Sequence, residues 1–358
     1  MTKNNKATEP TEEGGRLTIT DIARLAGVSK KTVSRVINHS GQVKQETRDR
    51  ILEIVAKHHY RPDPQARALA LRRSNLIAFI SNQPNPQYIV SMQSGILEAV
   101  SNTPYEIVIR PCDRSSPTLY EEIEELVVHQ KLFGVILTPS ISEDDELIGR
   151  LRLIGCPYVR IAAVSLDLPE NMIETHDYVG AAEAARHIAK LGHSRIAHIR
   201  GPETFLSAKE RFRGFRVGLA EYGLSVDPDY LITGGYTFES GVECAKQLIE
   251  MPVPPTAVFC GNDEMAVGVF KAARDAGIRI PDDLSVIGYD DSPIAERIWP
   301  PLTSVRLPIE YMGRIAAQLL VSNHDRVSLE PPQAASVMPS LVARDSTAPP
   351  PAVAQVGS

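Results

Sequence analysis

From Asn75 onward the chain alternates short apolar runs with amphipathic stretches, and this alternation limits its possible folds more than any other feature. The strand-like runs are Leu76–Ile80, Ile107–Ile109, Val135–Leu137, Tyr158–Ile161, Ile196–Ile199, Ala257–Cys260 and Val286–Gly288. Helical spacing fills the intervals, as in Glu121–Gln130, Ala181–Leu191, Lys209–Tyr222, Ser240–Ile249 and Glu264–Ala276. Regular βα alternation over roughly 270 residues predicts parallel sheets with helices on both faces. That length exceeds what one core usually serves, so two α/β lobes are expected, with a ligand cleft between them.

The segment before Asn75 reads differently. Thr18 followed by Asp21 marks a helix start, and Ile22, Ala23, Leu25 and Ala26 follow at helical spacing until Gly27. Ser29 can cap a second helix with Val33, Val36 and Ile37 on its apolar face. A third, from about Gln45 to His58, turns Ile51, Leu52, Ile54 and Val55 inward. Two short helices around a Gly-containing turn, closed by a third, form a helix-turn-helix layout. Asp63 and Pro64 could begin a further short helix over Gln65–Leu71, under two turns and too short to stand alone.

Charge separates the same two regions. Residues 16–73 hold 13 Lys and Arg against 5 Asp and Glu, a net of +8, whereas residues 74–358 hold 23 against 36, a net of −13. A small basic module on a large acidic one calls for a polyanion as the first module's partner, with nucleic acid the leading candidate. No apolar run is long enough for a membrane span, and residues 1–15 lack the apolar centre of an export signal, so a cytoplasmic location is expected. The scattered Cys112, Cys156, Cys244 and Cys260 have neither disulfide-scaffold nor zinc spacing; no metal and no cofactor are expected.

Several motifs share one family's pattern. The run from Ile19 to Asn38, ITDIARLAGVSKKTVSRVIN, resembles the helix-turn-helix of LacI/GalR-family bacterial regulators, as do Tyr60-Arg-Pro-Asp and Ala66-Arg-Ala-Leu-Ala beyond it. Leu191-Gly-His-Ser-Arg, Arg211-Phe-Arg-Gly-Phe, Gly261-Asn-Asp-Glu-Met-Ala, Val286-Ile-Gly-Tyr-Asp-Asp and Pro301-Leu-Thr-Ser-Val are similar to that family's effector-domain signatures, in order, within a resemblance covering about residues 17–345. It implies an all-α headpiece with a hinge helix, then a two-lobed effector domain of the type I periplasmic-binding-protein kind. The expected division is a disordered tail over 1–16, a DNA-binding domain over 17–60, a hinge over 61–73, an effector and dimerisation domain over 74–345 and a disordered tail over 346–358. Lobe 1 would take about 74–176 plus 306–330, and lobe 2 about 177–305.

On this reading the second helix enters the major groove by its first turn. Lys30 and Lys31 suit guanine acceptors or phosphates, and Arg35 can pair with guanine through two bonds. Ser29, Thr32, Ser34 and Asn38 suit phosphates. Thr18, just ahead of the first matching motif, and Tyr60 and Ala66, within the later ones, complete the DNA-facing set. Leu69 either covers the lobe beneath it or wedges into the minor groove. The resemblance implies the wedge, at a central CpG step of a palindromic operator bound by a homodimer; a tetramer is left open.

For the effector, Arg211, Asn262 and Asp290 match the family's charged or amide contacts and Tyr236 an aromatic stacking position. Tyr88, Thr138, Asp177, Phe205 and Ser207 join them as candidates. Asn262 could instead only cap the next helix, Asp290 could only form a turn, and Tyr236 could equally pack into the core. Trp299 is expected to be structural at a lobe crossover, and His187 and His193 carry no assigned chemistry. Where several relatives place an acid after the fourth strand, this chain reads Ile161-Ala-Ala-Val-Ser, so either Ser165 substitutes for it or that end is roomier, as a disaccharide or glucoside would require. The expected function is a repressor of a carbohydrate-utilisation operon switched by a small sugar, with a purine corepressor as the alternative. A solute receptor would need an export signal and has no use for the basic module. An α/β enzyme would need a catalytic motif, and the chain has no Walker A loop, GxGxxG after the first strand, GxSxG elbow or HExxH.

Overall fold

The computed structural model describes residues 17–37, 43–58, 60, 74–325, 329–333 and 335–351. The expected tail over 1–16, Asn38, the hinge over 61–73 with Ala66 and Leu69, and residues 352–358 lie outside the described residues. The chain divides after Arg73 into two units.

The first unit contains α1 (Ile19–Ala26), α2 (Lys30–Ile37) and α3 (Gln45–Lys57). Asp21 opens α1 by accepting the Thr18 N–H at 3.0 Å and the Thr18 hydroxyl at 2.7 Å. Gly27 closes it at φ 65°, a left-handed conformation that other residues adopt only at a cost. Ser29 Oγ accepts the Thr32 N–H at 3.1 Å and so starts α2. Ile22, Ala23, Ala26, Val33, Val36 and Ile51 form the buried core, with Tyr60 packed at its edge.

The second unit has two sheets. Lobe 1 is built on β1 (Leu76–Ser81), β2 (Glu106–Pro111), β3 (Gly134–Leu137), β4 (Tyr158–Ala162) and β5 (Met172–Glu174), in the order β2-β1-β3-β4-β5 and parallel throughout. The helices α4 (Pro86–Val100), α5 (Leu119–His129) and α6 (Asp145–Leu153) follow its strands. Lobe 2 carries α7 (Asp177–Lys190), β6 (Ile196–Arg200), α8 (Leu206–Ala220), β7 (Leu231–Thr233), α9 (Phe238–Ile249), β8 (Ala257–Cys260), α10 (Asp263–Asp275), β9 (Ser285–Asp290), α11 (Pro293–Arg297) and β10 (Thr303–Arg306). The chain then returns to pack α12 (Ile309–His324) against lobe 1 and ends with β11 (Ser340–Val342) in the second sheet. That sheet runs β11-β10-β9-β8-β6-β7, with only β11 antiparallel. Strands such as β3, β4, β8 and β9 are buried along their whole length; β3 and β8 therefore read as continuous apolar runs, while β4 buries Arg160 and β9 carries Ser285 and Asp290 at its ends.

Two expectations are corrected here. Lobe 2 does not end near residue 305, because β11 rejoins its sheet beside β10. Nor is the segment from 346 a disordered tail at its start. Ser346 is buried, donating its hydroxyl to the Val286 carbonyl at 2.6 Å and accepting the Thr303 N–H at 2.8 Å. His193 meets the Ala348 carbonyl at 2.8 Å, and His187 meets the Thr347 hydroxyl at 2.9 Å. The proline-rich composition concealed this because these bonds reach residues more than forty positions away.

Candidate effector cleft and nucleic-acid face

On the headpiece, Ser29, Lys30, Lys31 and Arg35 are exposed, Thr32 and Ser34 are half-buried, and Val33 and Val36 face the core. The helical period therefore sorts α2 into an apolar inner stripe and a basic outer one. Thr18 is exposed at the start of α1.

In the second unit, the C-terminal edges of both sheets open toward the cleft, as the open α/β design requires. β1 leads into Gln83 and Asn85, β8 into Asn262, and β9 ends on Asp290. Helix α8 contributes Ser207 and Arg211 from its first two turns. These residues, with Tyr88 and Tyr236, line one slot. Six of the nine expected effector residues thus converge: Tyr88, Ser207, Arg211, Tyr236, Asn262 and Asp290.

Arg211 organises the slot. Although only 6% exposed, its Nε donates to Asp177 Oδ1 at 2.7 Å, its Nη1 to the Gly261 carbonyl, and its Nη2 lies 3.9 Å from Asp290 Oδ1. The guanidinium also sits 3.6 Å from the centre of the Tyr289 ring. Burial opposes its charge, but Asp177 foremost, with Asp290, holds its pKa well above the ordinary value. Asp290 shows the converse: burial drives its carboxyl well above the usual carboxylate range, and Arg211 only partly offsets this. Its backbone is at φ 107° and that of Asp291 at φ 52°, a local strain of the kind that collects at binding sites. Asp263 steadies this turn from beneath, accepting the Ser292 N–H at 2.7 Å, the Ser292 hydroxyl at 2.9 Å and the Ser304 hydroxyl at 2.6 Å. Burial pushes its own carboxyl up to about 7.

Three expected residues do not line the slot. Asp177 is turned to Arg211 and Thr175, holding the guanidinium in place. Thr138 is wholly buried and donates to Ser81 Oγ at 2.8 Å. Phe205 packs edge-on against Tyr236 with ring centres 5.4 Å apart. Tyr236 takes the core-packing alternative while still lining the slot. Its ring is sunk against Gly201, where even a Cβ would come within 2.0 Å of Cζ. Its buried hydroxyl lies near Ser207 without completing a hydrogen bond among the described residues. Asn262 does both things considered for it, accepting the Met265 N–H at 3.0 Å as a helix cap while its Nδ2 donates to the Tyr236 carbonyl at 2.9 Å.

Two slot residues were missed. Asn85 caps α4 through Oδ1, and its Nδ2 donates to Asp290 Oδ2 across the lobes at 3.3 Å. The Asn-Pro step was a usable signal for the cap but not for the long-range contact. Gln83 had no signal at all. Two more bonds tie the lobes: Arg114 Nη1 to the Thr204 carbonyl at 3.1 Å, and the Leu206 N–H to Glu143 Oε2 at 3.0 Å. The slot they enclose is only about 20 Å³, room for roughly one water. Trp299, expected to be structural, is instead 84% exposed after α11.

A helix-turn-helix headpiece joined to a two-lobed periplasmic-binding-protein-like domain defines a DNA-binding transcriptional regulator. Residues 18–63 match the lacI family of bacterial regulatory proteins, and residues 185–347 match the periplasmic binding protein-like domain. The HTH-type transcriptional regulator DegA of Bacillus subtilis (strain 168) is 34% identical over 337 residues, covering 93% of this chain and 99% of its own. A solved complex of the transcriptional regulator CelR with cellobiose superposes with a TM-score of 0.68 at 30% identity, over 92% of this chain and 100% of that one. The lac repressor dimer bound to operator and the anti-inducer ONPF gives 0.68 at 27%, over 93% and 100%. The chain belongs to the LacI family of transcriptional regulators. No helix among the described residues is long and apolar enough to cross a membrane.

Proposed function

We propose that this regulator is a cytoplasmic repressor of a carbohydrate-utilisation operon, binding a palindromic operator as a dimer and switched by a small sugar in the inter-lobe cleft. The observation that carries this reading is the convergence of Arg211, Asn262, Asp290, Ser207, Tyr236 and Tyr88 on one slot. Such a set of fixed donors and acceptors suits a ligand with several hydroxyls better than an apolar one. A slot of about 20 Å³ holds no sugar ring, so the lobes must part to admit one. Ligand binding then shifts the lobe equilibrium, which is the physical requirement of a switch. A neighbouring cavity of about 310 Å³ shares Asn85, Tyr88 and Asp290 with the slot and adds Gln87, Ser91 and Arg306. That space favours a disaccharide or glucoside, and the cellobiose bound by CelR sets a precedent of that size.

On the headpiece, Lys30, Lys31 and Arg35 would meet base edges, with Thr18, Ser29, Thr32, Ser34 and Tyr60 on the backbone. Residues 61–73, including Ala66 and Leu69, would serve as a hinge that orders on paired half-sites. Two apolar surfaces support the dimer. Trp299 stands exposed beside Phe270, Ile278, Ile280 and Ile298, and Val90 and Leu97 are exposed on α4.

Selection of bound duplexes from a random pool, followed by titration with cellobiose and other sugars, tests the reading. Enrichment of an inverted repeat whose complex a sugar dissociates is the expected result. Recovery of no repeat, or a complex that no sugar affects, would overturn it.

A further inference from the structure

One acid in the cleft has no role in the slot as described. Glu143 ends a single 3-10 turn, 141–143, after β3. Its Oε2 takes the Leu206 N–H, whereas its Oε1 is buried with no hydrogen-bond partner among the described residues. A buried acceptor without a donor is uncommon because the desolvation it suffers is not returned. The turn that presents it is firmly held. Asn82 Oδ1 accepts the N–H groups of Ser140 and Ile141 at 3.1 and 3.2 Å, and Ser142 Oγ donates to the Ile161 carbonyl at 2.6 Å. Leu206 begins α8, which carries Ser207 and Arg211 into the slot, so Glu143 is anchored one residue from a slot-lining side chain. Glu143 itself is not among the residues that line the closed slot, where lobe 1 presents only the neutral Gln83, Asn85 and Tyr88.

We propose that Glu143 is a specificity-determining effector contact: its Oε1 accepts a hydroxyl of the sugar while Oε2 remains on the Leu206 N–H. This rests on the sugar reading above. Arg114 faces the carboxylate from the β2–α5 loop, Lys209 from α8 and Asp177 from α7, and Tyr88 on α4 is also within its field. Burial outweighs the two cations and pushes the carboxyl up to about 7. A hydroxyl donated to Oε1 favours the ionised form, so binding near pH 7 releases protons and affinity rises with pH through that range. Asp263 and Asp290 also sit at the cleft with raised pKa values, so the Glu143 share is isolated by substitution.

The test is titration calorimetry of the full chain with cellobiose, glucose and ribose at pH 7, in two buffers of different ionisation enthalpy. Glu143→Gln keeps the shape, and its melting temperature reports folding. Leu206→Pro removes the N–H together with a half-buried leucine side chain, at a first helical position that suits proline. The expected result is proton release on binding by the unsubstituted protein. Glu143→Gln should lower affinity about ten- to a hundredfold and remove most of that release. Leu206→Pro should weaken binding only slightly and keep the release. Unchanged affinity or unchanged proton release in Glu143→Gln overturns the proposal. Equal weakening by both variants with release intact would make Glu143 a strap between lobes and overturn it too. If the unsubstituted protein binds none of the three sugars, the sugar reading fails and this inference fails with it.

Discussion

Lys30, Lys31 and Arg35 stand in solvent on a helix whose fold is complete without them, whereas Arg211, Asp177 and Asp290 are enclosed and hold one another in place. The difference is one of dielectric. An exposed cation is free to serve a partner and costs folding almost nothing, while a buried one must be matched within the protein before any ligand arrives. Function and stability are therefore separable on the headpiece and entangled in the cleft.

Arg211→Ala should show the largest effect. It strands Asp177 and Asp290 without their cation, and a loss of about 3–5 kcal/mol in chemical denaturation is expected, together with loss of sugar binding. A loss below about 1 kcal/mol would mean that the cleft charges are no more entangled than those of α2. His198 gives the next effect. Burial among Phe212, Phe215 and Phe259 lowers its pKa to about 4, so the folded protein holds it neutral while the unfolded chain protonates near 6.5. Stability should fall as pH drops from about 6.5 to 4, by about 2 kcal/mol between pH 7 and pH 5 from this group. Removing the imidazole by His198→Phe should flatten that fall; an unaltered pH profile would assign it elsewhere.

The headpiece should behave in the opposite way. Arg35→Ala is expected to cost about 1–3 kcal/mol of discrimination at one operator base while leaving the melting temperature unchanged. Operator affinity should also fall steeply with salt, with a log–log slope of about 0.9 per phosphate neutralised. A flat salt response, or unfolding caused by Arg35→Ala, would break the contrast between the two regions. The smallest effect is expected for Asp21→Ala, which removes the contacts to Thr18 at the start of α1 and should lower the stability of that helix slightly. Denaturation of the whole chain, followed by helix-sensitive spectroscopy, checks it.

How much could be read from the sequence differed between these regions for the same reason. Thr18, Gly27, Ser29 and the Val33–Val36 face act within four residues of their partners, so spacing alone revealed them. The strands β3 and β8 were legible because burial on both faces leaves an unbroken apolar run, and β4 and β9 because apolar residues still dominate around Arg160 and between Ser285 and Asp290. The three-residue strands β5, β7 and β11 offered no such run. Arg211, Asn262 and Asp290 were found through the family pattern around them, not through any local rule. Thr138 and Phe205 follow a strand and a loop near the cleft without lining the slot, and nothing local told that one turns to Ser81 and the other to Tyr236.

The sequence by itself determined the two-part division, the helix-turn-helix and the alternating α/β architecture, because caps, period and charge act over short spans of chain. Only the tertiary structure decided that Asp177 holds Arg211, that Asn85 reaches Asp290 across 205 positions, and that the segment from Ser346 docks on β9. Those contacts depend on where elements far apart in the chain arrive in space: the first and third on the packing within lobe 2, and the second on the approach of the two lobes.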